Sequence, residues 1–181
     1  MLLQSENIYL SPLDTVSQNY SSWMNDPEVL RYLECRFQLQ SHASIRDYVI
    51  RMNSDPNVVF LGIYYNLSPE VELVPRVYTH VGNVKLTINR IHRFAEVGIV
   101  IGKSHWGKGI ATETLKLISK YAFNILNLHK LWAGCYADNY ASIRGFEKAG
   151  FDVEGRLKNQ YWSNDHYTDD ILLGLINPRE K

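Results

Sequence analysis

Between Ile99 and Ala111 the chain sets an apolar run, Ile99-Val100-Ile101, ahead of Gly102-Lys103-Ser104-His105-Trp106-Gly107-Lys108-Gly109, and an amphipathic stretch follows at once. Strand, glycine-rich loop and helix in that order make an anion site. The first N–H groups of a helix lack partners, and the macrodipole adds about half a positive charge there. Gly107 and Gly109 let the backbone come close to a phosphate or pyrophosphate. The same residues nearly form a nucleoside-triphosphate P-loop, because Gly102 is followed after four residues by Gly107-Lys108. A Ser or Thr is needed next to hold magnesium, and Gly109 stands there instead. A P-loop-like NTPase is therefore the weaker reading, and a tight turn that binds nothing is a third.

Elsewhere the reactive side chains are scattered. The six histidines show no metal-ligand spacing, and the two cysteines, Cys35 and Cys135, match no metal or redox motif. Reduced thiols packed as small hydrophobes are the expectation, with no metal ion. Glu96 alternates with Gly98 and Val100 and so shares a strand face with them. Asn139 suits an N-cap, with Ser142 at the third helical position, and capping alone would account for it.

These residues need elements to position them. A short strand is expected over residues 7–12, and one or two short helices over 15–32, interrupted at Asn25-Asp26-Pro27. A helix capped by Ser44 should run to about Met52 with Ile45, Tyr48 and Val49 on one face. Residues 58–65 read as a strand, 66–75 as an exposed connection, and 80–91 with 95–101 as an antiparallel pair. Residues 109–126 give the clearest helix, with Ala111, Leu115, Ile118, Ala122 and Ile125 spaced along one face. A strand over 130–137, a helix over 140–149 ended by Gly150, and two closing strands around Ser163-Asn164-Asp165 complete the order. No repeat or linker divides the chain, so one domain over 1–181 of mixed α/β (α+β) class is expected.

The turn and its flanks resemble the acetyl-CoA signature of the GNAT acetyltransferases over Trp106-Gly107-Lys108-Gly109-Ile110-Ala111-Thr112-Glu113. Asp138-Asn139-Tyr140-Ala141-Ser142 and Phe146-Glu147-Lys148-Ala149-Gly150-Phe151 are similar to that family's second motif. With Trp23-Met24-Asn25-Asp26-Pro27-Glu28-Val29 the likeness spans nearly the whole chain and points to the Rim-like branch of ribosomal-protein N-terminal and small-molecule acetyltransferases. Residues 88–96 and 123–130 also resemble bacterial spermidine acetyltransferases. The resemblance implies the GNAT fold, a central, mostly antiparallel twisted sheet of about six to seven strands flanked by helices. It implies acetyl-CoA as cosubstrate, with Ile99, Val100 and Ile101 presenting backbone to its pantetheine arm. Trp106, Gly107, Lys108, Gly109, Ile110 and Ala111 would surround the pyrophosphate. Trp106 stands where the family often has Gln or Arg, which matters little if backbone N–H groups make the contacts.

Acetyl transfer to an amine needs a neutral amine, a polarised carbonyl and a thiolate that can leave. A lysine-like amine of pKa about 10.4 costs roughly 4.6 kcal/mol to deprotonate at pH 7, and an α-amine near 7.8 about 1 kcal/mol. Glu96 is the expected base, acting through water, with Gly98 leaving room for substrate; an ordinary surface carboxylate is its plain alternative. By the resemblance Asn139 and Ser142 contact the cofactor, and the amine acceptor is a protein N-terminal α-amine or a small molecule such as an amino sugar or polyamine. A family tyrosine that protonates the leaving thiolate is replaced by Phe146, which raises the alternative of a non-catalytic acetyl-CoA-binding sensor. Glu34, Arg36, Phe37, Tyr161, Trp162 and Tyr167 are acceptor-side candidates by family analogy.

Composition narrows the partners. Of the 181 residues 45% are hydrophobic and 21% charged, and the net charge is zero, which leaves no global field for nucleic acid or an anionic membrane. No apolar run approaches the roughly 20 residues of a membrane-spanning helix. Met1 is followed by Leu2-Leu3-Gln4-Ser5-Glu6 without the basic start of a secretory signal, so the cytoplasm is the expected location, with a homodimer left open.

Overall fold

Eight strands form one sheet in the computed structural model, which describes residues 3–68, 77–163 and 165–180. They are β1 (Leu3–Gln4), β2 (Ile8–Pro12), β3 (Val58–Asn66), β4 (Tyr78–Asn89), β5 (Phe94–Ile101), β6 (Lys130–Tyr136), β7 (Asp152–Ser163) and β8 (His166–Ile176). Their spatial order is β1-β2-β3-β4-β5-β6-β8-β7, antiparallel except where β5 meets β6. Seven of these strands are those the patterning predicts. The eighth, β1, is two residues long and exists only through its pairing with β2, so it has no pattern of its own. The expected connection over 66–75 lies outside the described residues from position 69 on, as does Asn164 of the closing turn.

Five helices cover the two faces. On one side lie α1 (Gln18–Trp23), α2 (Pro27–Leu30) and α3 (His42–Ser54), joined by a 3-10 turn over Glu34–Phe37. Asp26 caps α2 and Pro27 opens it, where a missing N–H costs nothing. The helix expected from Ser44 starts earlier, because the Ser41 side chain accepts the Ser44 N–H at 3.0 Å and so takes the cap position. Ile45 and Val49 of α3 are buried against Leu13, Tyr20, Trp23 and Phe60, while Tyr48 packs at the edge of this smaller core.

The other face carries α4 (Ile110–Asn124) and α5 (Tyr140–Lys148). Ile110, Leu115, Ile118 and Ala122 are at most 1% exposed, against Leu86, Ala95, Val97 and Leu131 of the sheet. Each leucine or isoleucine so buried contributes about 1.5–3 kcal/mol. Ile125, expected on that face, is 50% exposed, because the helix ends at Asn124 and Ile125 turns out of register. Asn139 caps α5 by accepting the Ser142 N–H at 3.2 Å, and Gly150, at φ 101°, follows the end of α5. Both sheet faces are therefore covered, and β5 sits mid-sheet with one face toward each core: Ala95, Val97, Ile99 and Ile101 toward α4, Val100 toward α3.

Candidate functional site

β5 and β6 pair only from Phe94↔Lys130 to Glu96↔Trp132. Beyond that point β5 continues along β4 to Ile101, and β6 continues along β8 to Tyr136. The two strands thus part, and from Val97 onward the backbone of β5 has no ladder partner on the side away from β4. A wedge opens in the middle of the sheet, bordered by Ile99, Val100 and Ile101. Such a border offers hydrogen bonds to an extended, amide-bearing ligand as another strand would.

At the wide end of the wedge lies the glycine-rich turn. A 3-10 turn over Lys103–His105 leads to Trp106, whose indole N–H donates to the Ile101 carbonyl at 2.7 Å and ties the loop to the end of β5. Gly107 and Gly109 have φ of 75° and 77°, left-handed backbone that favours glycine, and a Cβ built on either meets nothing within 4 Å. Gly109 is the N-cap of α4 and supplies no side-chain acceptor, so the first N–H groups of the helix, around Ile110 and Ala111, are left without a cap bond. Such a turn could serve as a cradle for a pyrophosphate, the group the resemblance implies. Lys108 is exposed and free to add charge, whereas Lys103 is ion-paired to Glu28. His105 is held below the usual imidazole range by partial burial and by Lys108 beside it.

α5 stands across the wedge. The Ser142 hydroxyl lies 3.4 Å from the Cys135 sulfur on β6, and burial pushes that thiol up to about 11, so it stays protonated at neutral pH. Phe146 is 2% exposed and meets Phe151 edge-on at 5.0 Å, inside the main core. Asn139 caps the helix, as its position predicts.

On the opposite face a cleft of about 660 Å³ lies between the sheet and the α1–α3 layer. Its floor is Asn83, Lys85, Gly98 and Val100, which register places side by side as Asn83↔Val100 and Lys85↔Gly98. Tyr48, Arg51 and Asp47 of α3 form one wall, and Glu34 and Cys35 another. Glu96 continues the row of Gly98 and Val100, opposite Thr87, but is exposed beyond the cleft lining.

The acceptor-side candidates come together around Tyr136. Glu34 accepts the Tyr136 hydroxyl at 2.6 Å; burial and this carboxylate push Tyr136 up to about 12. Tyr161 stacks on Tyr136 at 4.2 Å and donates to Asp170 at 3.2 Å. Arg36 lies over Tyr136 and donates to the Trp162 carbonyl, so the 3-10 turn and the last hairpin touch. Phe37 and Tyr167 remain exposed. Of this set only Glu34 lines the cleft.

Sequence reading left Asn83 and Lys85 inside an apolar strand. The available signal was alternation: Asn83, Lys85 and Thr87 are polar at every second position of β4, marking a face that meets a ligand or solvent. Among the described residues no group of three His, Cys, Asp or Glu is placed to hold a metal, and no helix is long and apolar enough to cross a membrane.

Comparison with known proteins agrees with this arrangement. The chain is 34% identical over 154 residues to the spermidine N(1)-acetyltransferase of Escherichia coli K12, covering 82% of this chain and 81% of that protein. It is 39% identical over 100 residues to the Vibrio cholerae enzyme of the same name, covering 55% and 58%. The solved structure of spermidine N-acetyltransferase from Vibrio cholerae in complex with CoA and spermine superposes with a TM-score of 0.78 at 23% identity, over 96% of this chain and 97% of that one. The Acetyltransferase (GNAT) domain family matches residues 7–152. The wedge, the cradle beside it and this match over most of the length lead to one conclusion: the chain belongs to the GNAT acetyltransferase family.

Proposed function

We propose that the protein transfers the acetyl group of acetyl-CoA directly to the primary amine of a small molecule held in the cleft over Gly98. One observation carries this reading: β5 serves both sides at once. Its open border faces the wedge, and Gly98 and Val100 on the same strand form the cleft floor. A donor along the border and an acceptor on the floor therefore meet at one strand. Acetyl-CoA brings the activated thioester; the chain supplies position, hydrogen bonds and proton handling.

The cleft volume lies within the range of about 300–1,000 Å³ usual for small-molecule sites, which favours a small amine over a protein terminus. The names of the Escherichia coli and Vibrio cholerae relatives point the same way. Glu34 and Asp47 are set against Lys85 and Arg51 in the lining, so the cleft lacks the strong negative balance that suits a polyamine. Glu96 is the proposed base, working through water, since it lies two residues from Gly98 on the same face, about 7 Å along the strand. Ser142, backed by the protonated Cys135 thiol, is the proposed proton source for the departing thiolate in place of Phe146. Asn139 holds Ser142 at the start of α5 through its cap.

The reading is tested by following free-thiol release from acetyl-CoA with a panel of small amines. Glu96→Gln is expected to lower kcat by about 10²-fold while leaving acetyl-CoA affinity unchanged. Unchanged turnover in that variant excludes Glu96 as the base. Donor binding with no turnover for any amine excludes transfer itself.

A further inference from the structure

The floor of the cleft holds one buried amide donor, on Asn83, and the side chain of Lys85 beside it. His80 is 7% exposed, and burial holds it below the usual imidazole range, so the ring is neutral. Its Nδ1 lies 2.8 Å from the Ser17 hydroxyl and its Nε2 3.0 Å from Asn83 Oδ1. With Asn83 Oδ1 facing it, Nε2–H is the donor, which leaves Nδ1 to accept the proton of the Ser17 hydroxyl, the α1 cap. That relay fixes the Asn83 amide with its nitrogen pointing away from His80. Asn83 is 2% exposed and lines the cleft, and among the described residues its Nδ2 has no partner. A buried amide donor left unpaired costs about 1–3 kcal/mol, which is why such groups await a ligand atom.

Lys85 is the next residue on the same face. Its side chain runs over Gly98, with Cε 4.0 Å from where a Cβ of that glycine would lie, and Nζ is 3.4 Å from the Tyr48 hydroxyl. Arg51 sits 5.6 Å from the Tyr48 ring centroid on the adjacent wall. Among the described residues neither cation has a carboxylate within ion-pair distance. An amide nitrogen and two cations thus line the cleft proposed for the acceptor.

We propose that the acceptor carries an oxyanion, a carboxylate or a phosphate, near its primary amine, and that Asn83 and Lys85 bind that group, with Arg51 closing over it. The inference rests on the acetyl-transfer reading. It also gives the cleft a second use for Lys85: a fixed positive charge beside the amine favours the neutral, nucleophilic form.

The test compares acceptors that differ in one group, with acetyl-CoA saturating and free thiol as readout. 4-Aminobutyrate, phosphoethanolamine, butylamine, ethanolamine and spermidine form the panel. The anionic acceptors are expected to exceed their neutral counterparts in kcat/KM by about tenfold or more, the effect of one charge-assisted hydrogen bond. Lys85→Met should abolish that preference, and Lys85→Glu should invert it toward spermidine, with acetyl-CoA affinity by calorimetry unchanged in both. Asn83→Ala should raise KM for the anionic acceptors alone. The carboxylate and phosphate arms tell the two oxyanion sources apart. Butylamine used as well as 4-aminobutyrate, or spermidine better than either, overturns the oxyanion site and leaves acetyl transfer standing. No turnover of any amine in the panel overturns both.

Discussion

Gly109→Ala separates the two duties of the glycine-rich turn. Gly109 sits at φ 77°, ψ −1°, left-handed backbone in which alanine costs about 1–2 kcal/mol. For a chain of this size each kcal/mol lowers Tm by about 2–4 °C, so the variant should melt about 2–8 °C below the parent. The new methyl meets no protein atom within 4 Å, so no further loss of stability is expected. It points instead into the space assigned to the pyrophosphate, and acetyl-CoA should bind about tenfold more weakly, a loss of about 1.4 kcal/mol. Gly109→Asn sharpens the comparison, because asparagine tolerates left-handed backbone and restores most of the lost Tm while placing a larger group in the same space. Thermal unfolding and calorimetric titration with acetyl-CoA report the two effects independently. Parent-like affinity in both variants, with Tm lowered as calculated in the alanine variant, would refute the cradle.

Two further outcomes concern the core and the far side of the wedge. Phe146→Ala should destabilise by about 3–5 kcal/mol in denaturant unfolding, since the ring is buried against Phe151; a loss under 1 kcal/mol would move it out of the core. Asp170 is 4% exposed, its Oδ1 has no partner among the described residues, and burial raises its carboxyl above the usual range. Its contribution to stability is therefore complete at low pH and lost as pH rises through the folded-state value. Asp170→Asn, which keeps an acceptor for Tyr161, should raise stability near pH 8 by about 1 kcal/mol or more and lose that advantage toward pH 4. A variant that melts below the parent near pH 8 would show that the charge is paired.

The parts of the fold that follow from local physics were legible in the residues. Leu115, Ile118 and Ala122 repeat at helical spacing and are buried together, and Asn139 caps as a short polar side chain ahead of a helix does. Gly109 in place of a magnesium-binding hydroxyl separates the turn from a P-loop by residue type alone. The non-local parts were not legible. Where β5 leaves β6 depends on β6 pairing with β8, some forty residues downstream, and nothing in Val97–Ile101 announces it. Ser44 carried the right chemistry for a cap, but Ser41, three residues earlier, accepts the Ser44 N–H and so places Ser44 inside the first turn. Asn83 and Lys85 are strand residues by pattern; only the register against Val100 and Gly98, with α3 overhead, turns them into the floor of a site.

The parting of β5 from β6 puts a strand border in the middle of a sheet rather than at its rim. At a rim such a border is a template for foreign strands, and proteins guard it with charge, proline or a covering loop. Recess is the guard here. β4 flanks the border on one side and the diverging β6–β8 pair on the other, so a slender extended ligand reaches it and a second folded chain does not. Three residue pairs join the two strands before they part, and the core under α4 spans both halves of the sheet. A ligand that occupied the wedge would pair this border as a neighbouring strand does, and so would also shield it from self-association.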